Sequence, residues 1–121
     1  MKHKLLILLL FGCCASSFSQ SNYYANKAMD YVKEAQQYLK KAESYDREAT
    51  YYQNKATSYL RDAEYYTRYK NYDKAADNVR WANDATEKAA TQSKWANDAR
   101  DRARDQMRWA IDAMDKAKRE K

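Results

Sequence analysis

The chain has 121 residues, a formal net charge of +6 at pH 7 and a mean hydropathy of −1.10. It contains no proline, and its single glycine, single histidine and both cysteines (Gly12, His3, Cys13, Cys14) all fall in the first fourteen residues. The remainder lacks the turn punctuation of a β-rich fold. It also lacks the imidazole and thiol that a Ser–His or Cys–His nucleophile, a histidine base or a zinc site requires.

The N-terminal segment has an export pattern. Met1-Lys2-His3-Lys4 is basic, Leu5 to Phe11 is an unbroken apolar run, and small and polar residues follow. Such a run is a secretory signal, too short to span a membrane as a mature helix. The expected domain plan is a signal over residues 1–19, cleaved near 15–19, and a mature region over 20–121. A second reading stays open. Leu10-Phe11-Gly12-Cys13 resembles a bacterial lipobox, which implies lipidation at Cys13 and anchoring to a membrane. The expected location is secreted or periplasmic, and membrane-anchored if Cys13 carries lipid.

Helix comes next, written in heptads. Tyrosine stands at Tyr24, Tyr31, Tyr38, Tyr45, Tyr52, Tyr59 and Tyr66, and alanine at Ala28, Ala35, Ala42, Ala49, Ala56 and Ala63. The offset between the two series alternates four and three, the spacing of a coiled-coil seam. A second series runs through Ala75, Ala82, Ala89, Ala96, Ala103, Ala110 and Ala117. The phase breaks once between them, inside Tyr69-Lys70-Asn71-Tyr72-Asp73. Asn71 tolerates the left-handed conformation that ends helices, and Asp73 suits an N-cap or a first-turn acid. This stretch also looks like the inter-helix turn of tetratricopeptide repeats.

The predicted fold is therefore all-α. It is a long antiparallel two-helix hairpin with an Ala/Tyr heptad coiled coil: helix 22–69, turn 69–73, helix 73–119. Each helix would be about 70 Å long at 1.5 Å per residue. The competing arrangement is one continuous helix with a phase slip.

Register favours the hairpin. Folding back between Lys70 and Asn71 sets Tyr66 opposite Ala75, Tyr59 opposite Ala82, Tyr45 opposite Ala96 and Tyr24 opposite Ala117. Large against small at every layer fills a seam without voids. Beside the seam, a five-residue stagger predicts ion pairs of Asp62 with Lys74, Glu48 with Lys88 and Glu34 with Arg102. The same stagger predicts cation–π contacts of Lys55 with Trp81, Lys41 with Trp95 and Lys27 with Trp109. The opposite edge carries Ala25, Val32, Leu39 and Leu60 against Val79, Met107 and Met114. Covering that edge calls for self-association, for example into a four-helix bundle, or for a partner.

Candidate contact residues lie off the seam. Tyr23, Tyr51 and Tyr65 are spaced by multiples of fourteen, and Trp81, Trp95 and Trp109 recur every fourteen, within repeats such as Trp-Ala-Asn-Asp-Ala. The seam tyrosines are expected to pack as core, with hydroxyls reaching water. The recurring Asp77, Asp84, Asp98, Asp105 and Asp112 are mixed with Lys and Arg and read as a solvated face. No catalytic residue, cofactor or metal ligand is expected, and interleaved charge argues against nucleic acid.

The functional expectation is a non-catalytic, exported structural or protein-interaction protein, a spacer or scaffold in an envelope or extracellular assembly. Two alternatives accompany it. The Ala-rich heptads, the Leu10–Cys13 box and the terminal Arg119-Glu120-Lys121 are similar to small bacterial murein lipoproteins, a resemblance that implies a lipid anchor and a tether through the last lysine. The internal turn departs from that family's single uninterrupted helix. The other alternative is an amphipathic protein using its tryptophan edge on lipid.

Overall fold

The computed structural model describes residues 19–119, with side chains described from 23 to 119. Residues 1–18 of the expected signal, Cys13 among them, lie outside the described residues. Helix α1 runs Ser19–Arg68 and helix α2 runs Tyr72–Arg119. Neither contains Gly or Pro, and both are rich in alanine and in straight-chain polar residues that lose little rotamer freedom in a helix. The two helices pack against each other.

The turn between them is short because each of its residues does a helix-end task. Lys70 takes the left-handed conformation (φ 62°), the one positive φ among the described residues. Its N–H donates to the Thr67 carbonyl at 3.0 Å, and the Asn71 N–H donates to the Tyr66 carbonyl at 2.9 Å. That pair of bonds is a Schellman motif, which satisfies the carbonyls that the end of α1 leaves open. Asn71 then starts α2. Its side-chain oxygen accepts from the Lys74 N–H at 3.3 Å, and its carbonyl accepts from the Ala75 N–H at 3.1 Å. The sequence places the left-handed residue at Asn71 and an N-cap at Asp73. The structure moves the left-handed residue to Lys70 and the cap to Asn71, while Asp73 takes the second of its two expected roles, a first-turn acid at the positive end of α2. Asn71 cannot do both jobs, and its side chain is worth more as a cap.

The chain divides into two compact units. The turn unit is Tyr38–Asp101, and the terminal unit takes the described residues up to Gln37 and from Arg102 onward. In the turn unit Tyr45 packs on Ala42, Ala96 and Ala99, and Tyr59 packs on Ala56, Ala82 and Ala85. Each ring thus covers one alanine of α1 and two of α2, as the folded-back register requires. Arg100 of α2 and Asp46 of α1 form an ion pair. In the terminal unit Ala28, Ala35, Ala103, Ala110 and Ala113 are all buried.

Polar groups enter the seam at intervals. Asn78 is buried and donates through Nδ2 to the Lys74 carbonyl at 2.8 Å. Gln106 is half-buried, and its Oε1 has no hydrogen-bond partner. Thr67 and Thr86 spend their hydroxyls on the carbonyls of Ala63 and Ala82, four residues back.

Candidate functional site

The tyrosines divide by position. Tyr24, Tyr31, Tyr38, Tyr45, Tyr52, Tyr59 and Tyr66 are all half-buried. Tyr23, Tyr51, Tyr65, Tyr69 and Tyr72 are exposed. A helical residue at d faces the partner helix, and its neighbour one position back points along the flank.

The tryptophans are clamped and open at once. Tyr31–Trp109, Tyr45–Trp95 and Tyr59–Trp81 have ring centroids 5.8, 5.6 and 5.8 Å apart, at 59°, 63° and 58°. Rings so inclined, edge-on at Tyr45–Trp95 and tilted in the other two pairs, do not stack face to face. Trp81, Trp95 and Trp109 retain 50%, 45% and 48% of their surface.

Lysines cover the intervening tyrosines. Lys74 lies over Tyr66 at 5.4 Å, Lys88 over Tyr52 at 5.7 Å and Lys116 over Tyr24 at 5.7 Å. These contacts correct the expected flank pairing. Lys74 and Lys88 seek tyrosine faces rather than Asp62 and Glu48. Trp81, Trp95 and Trp109 meet tyrosine rings rather than Lys55, Lys41 and Lys27. The helix register is the expected one, and within it each α2 flank residue lands on the tyrosine ring nearest its own layer rather than on a partner five residues away. Lys27 and Lys55 bend instead over Tyr23 and Tyr51, four residues back on their own helix, at 5.7 and 5.2 Å. Lys41 lies over Tyr38 at 5.5 Å.

Both of the outer ammoniums respond electrostatically. The Tyr23 oxygen, chiefly by the negative charge it carries once ionised, holds Lys27 above the ordinary lysine value, with Tyr31 adding to it. Lys55 is raised as well, first by its hydrogen bond to Tyr51 and then by that ring's charge.

The exposed tyrosines complete the pattern. Tyr23–Tyr24, Tyr51–Tyr52 and Tyr65–Tyr66 form edge-on doublets at 5.2, 5.3 and 5.4 Å. A signal for this stands in the sequence, in Tyr23-Tyr24-Ala25-Asn26-Lys27 and Tyr51-Tyr52-Gln53-Asn54-Lys55. Adjacent tyrosines with a lysine four after the first put a ring pair and an ammonium on one flank. Reading heptads alone separates these residues into different columns and hides the unit they form.

In the terminal unit the rings frame an open groove of about 370 Å³. Its lining includes Tyr23, Tyr24, Tyr31 and Trp109, with Lys27, Lys116 and Asp112 among them. On the opposite edge Leu60 and Val79 are exposed in the turn unit, and Met107 and Met114 in the terminal unit. Among the described residues no helix is long and apolar enough to cross a membrane. Comparison with protein-family models, with curated proteins and with solved structures finds no match for this chain.

Proposed function

We propose that the protein is a non-catalytic, exported helical scaffold that presents an aromatic edge to a partner in an envelope or extracellular assembly. One observation carries this reading: three indoles at fourteen-residue spacing are each held by a tyrosine and each about half open. A ring fixed by one neighbour loses little side-chain entropy when a second surface covers it. The alanine and tyrosine heptads support a coiled-coil seam. The exposed Leu60 and Val79 support association through the other edge, two hairpins making a four-helix bundle. Sedimentation of the full chain over a range of concentration tests this. Assembly that weakens in Leu60→Lys with Val79→Lys is the expected result. A monomer at every concentration removes self-association from the proposal.

The lipobox-like Leu10-Phe11-Gly12-Cys13 supports a second reading, a lipid-anchored envelope protein. Intact mass of the exported protein distinguishes the two. Attached acyl chains on a chain starting at Cys13 favour the anchor, and a bare chain starting between residues 16 and 20 favours release.

A further inference from the structure

The residues that frame the groove of the terminal unit recur in the turn unit. Four heptads along α1, Tyr23, Tyr24, Lys27 and Tyr31 become Tyr51, Tyr52, Lys55 and Tyr59. Four heptads back along α2, Trp109, Asp112 and Lys116 become Trp81, Asp84 and Lys88. The geometry repeats with the residues. The doublets are 5.2 and 5.3 Å apart, and the Tyr–Trp pairs are 5.8 Å apart in both units, at 59° and 58°. The α2 lysine stands 5.7 Å from its tyrosine in both. Packing alone does not call for this. The layer of Trp95 has Gln37 and Arg102 where the others have the outer tyrosine and the α2 lysine, and Trp95 still packs on Tyr45.

We propose that each of the two constellations is a saccharide-binding site, and that its ligand is a glycan bearing carboxylate groups, of the uronic acid class. The proposal rests on the reading of the tryptophan edge as the recognition surface and names what that edge recognises. A sugar ring has an apolar C–H face and a rim of hydroxyls. The half-open indole offers an electron-rich face to the C–H side. The hydroxyl rim needs both acceptors and donors, which Asp112 or Asp84 and the neighbouring lysines provide. Two ammoniums against one carboxylate leave each site with surplus positive charge, which selects an acidic sugar over a neutral one. The terminal groove lies at the small end of ligand sites, which span roughly 300–1,000 Å³. It is open, so a chain can lie across it.

Single-stranded nucleic acid also stacks on aromatic rings and follows lysines. A phosphate backbone needs a continuous track of cations, and each site supplies only two beside its aspartate. The surface charge is interleaved rather than a basic stripe.

The test is titration of the full chain with oligogalacturonides, followed by indole fluorescence and calorimetry. Uncharged cello-oligosaccharides and oligothymidylate serve as comparison probes. Two equivalent sites per chain are expected. Trp109→Ala should halve the stoichiometry, Trp81→Ala with Trp109→Ala should abolish binding, and Trp95→Ala should leave both sites. Lys27→Gln with Lys116→Gln changes only exposed side chains. It should weaken one site about tenfold with helix content unchanged by circular dichroism. Four results would overturn the proposal: no binding, equal binding of the uncharged sugar, tighter binding of oligothymidylate, or loss in Trp95→Ala matching the other two. If oligogalacturonide fails while the chain still assembles, the ligand class falls and the scaffold reading stands.

Discussion

Along the seam the side chains are the smallest available, along the edge they are the largest, and burial runs against size. Among the described residues all fifteen buried hydrophobic ones are alanines, while Trp81, Trp95 and Trp109 stay about half open. Burying an alanine methyl contributes only about 0.8 kcal/mol. Fixing one residue's backbone costs about 1–2 kcal/mol. The seam therefore sets how closely the helices approach, and the rings laid over it supply the apolar area. An aromatic side chain buries about 150–250 Å² when it packs fully. Tyrosine suits this place because its ring covers the alanines while its hydroxyl reaches water. The same arrangement keeps the indoles at the surface, where the proposed recognition would use them.

The hardest test of that division is to enlarge the seam. Ala96 is fully buried beside Ala42, Ala99 and Tyr45. Ala96→Leu forces three extra carbons into a layer whose alanines are already buried against one another. Overpacking costs typically 1–3 kcal/mol, and here the upper end is expected because displaced helices disturb adjacent layers. Thermal melting should fall by more than about 10 °C, at roughly 4–8 °C per kcal/mol for a domain of this size class. A melt within about 2 °C of the parent would mean the helices are not held at alanine distance.

Removing a ring from the seam should rank next. Tyr45→Ala uncovers the Ala42, Ala96 and Ala99 cluster and takes away the partner of Trp95. Truncating a fully buried aromatic costs about 3–5 kcal/mol. Tyr45 is only half-buried, so about 1–3 kcal/mol is expected by denaturant melting. Trp95→Ala loses one aromatic contact and should cost about 1 kcal/mol or less. Equal destabilisation by the two substitutions would erase the distinction between seam and edge, leaving the tryptophans as clamps.

That distinction was legible in the sequence only in part. The alternation of four and three between Tyr24, Ala28, Tyr31 and Ala35 identifies the seam because helical geometry ties spacing to face directly. The fold-back between Lys70 and Asn71 follows from matching large to small. Which group covers each ring did not follow. The sequence offers Lys74 both Asp62 and Tyr66 as candidate partners for a long flexible chain, and a column of letters carries no rotamer. Backbone conformation at the turn was hidden for a similar reason. Lysine is a poor prospect for φ > 0, and Lys70 adopts it because the Thr67 and Tyr66 carbonyls gain donors in return.

The turn offers a smaller effect, of opposite sign. A non-glycine residue in the left-handed region costs about 1–2 kcal/mol, and glycine avoids this. Glycine also gives back about 0.5–1 kcal/mol through the freer unfolded chain. Lys70→Gly should therefore raise stability by about 0.5 kcal/mol, seen as a higher melting temperature with an unchanged denaturant slope. A decrease would place the Lys70 side chain in a contact that holds the turn.

The smallest expected effect concerns the outer edge at high pH. Lys27 and Lys55 are raised above the ordinary 10.5 by Tyr23 and Tyr51. A lysine whose folded value exceeds its unfolded value binds its proton more tightly when folded. Its stabilising contribution is fully present below 10.5 and fades as pH rises through the raised value. Both ammoniums are exposed, so solvent screens the contribution and the decline should be shallow. Melting temperature should hold level from neutral pH to about 10 and then drop. Lys27→Arg with Lys55→Arg keeps the positive charge over Tyr23 and Tyr51 throughout, because guanidinium does not titrate in this range. That variant should lose less over the same interval than the parent. An identical alkaline decline in both proteins would show that these lysines add nothing to the fold, and that the edge is held by its rings alone.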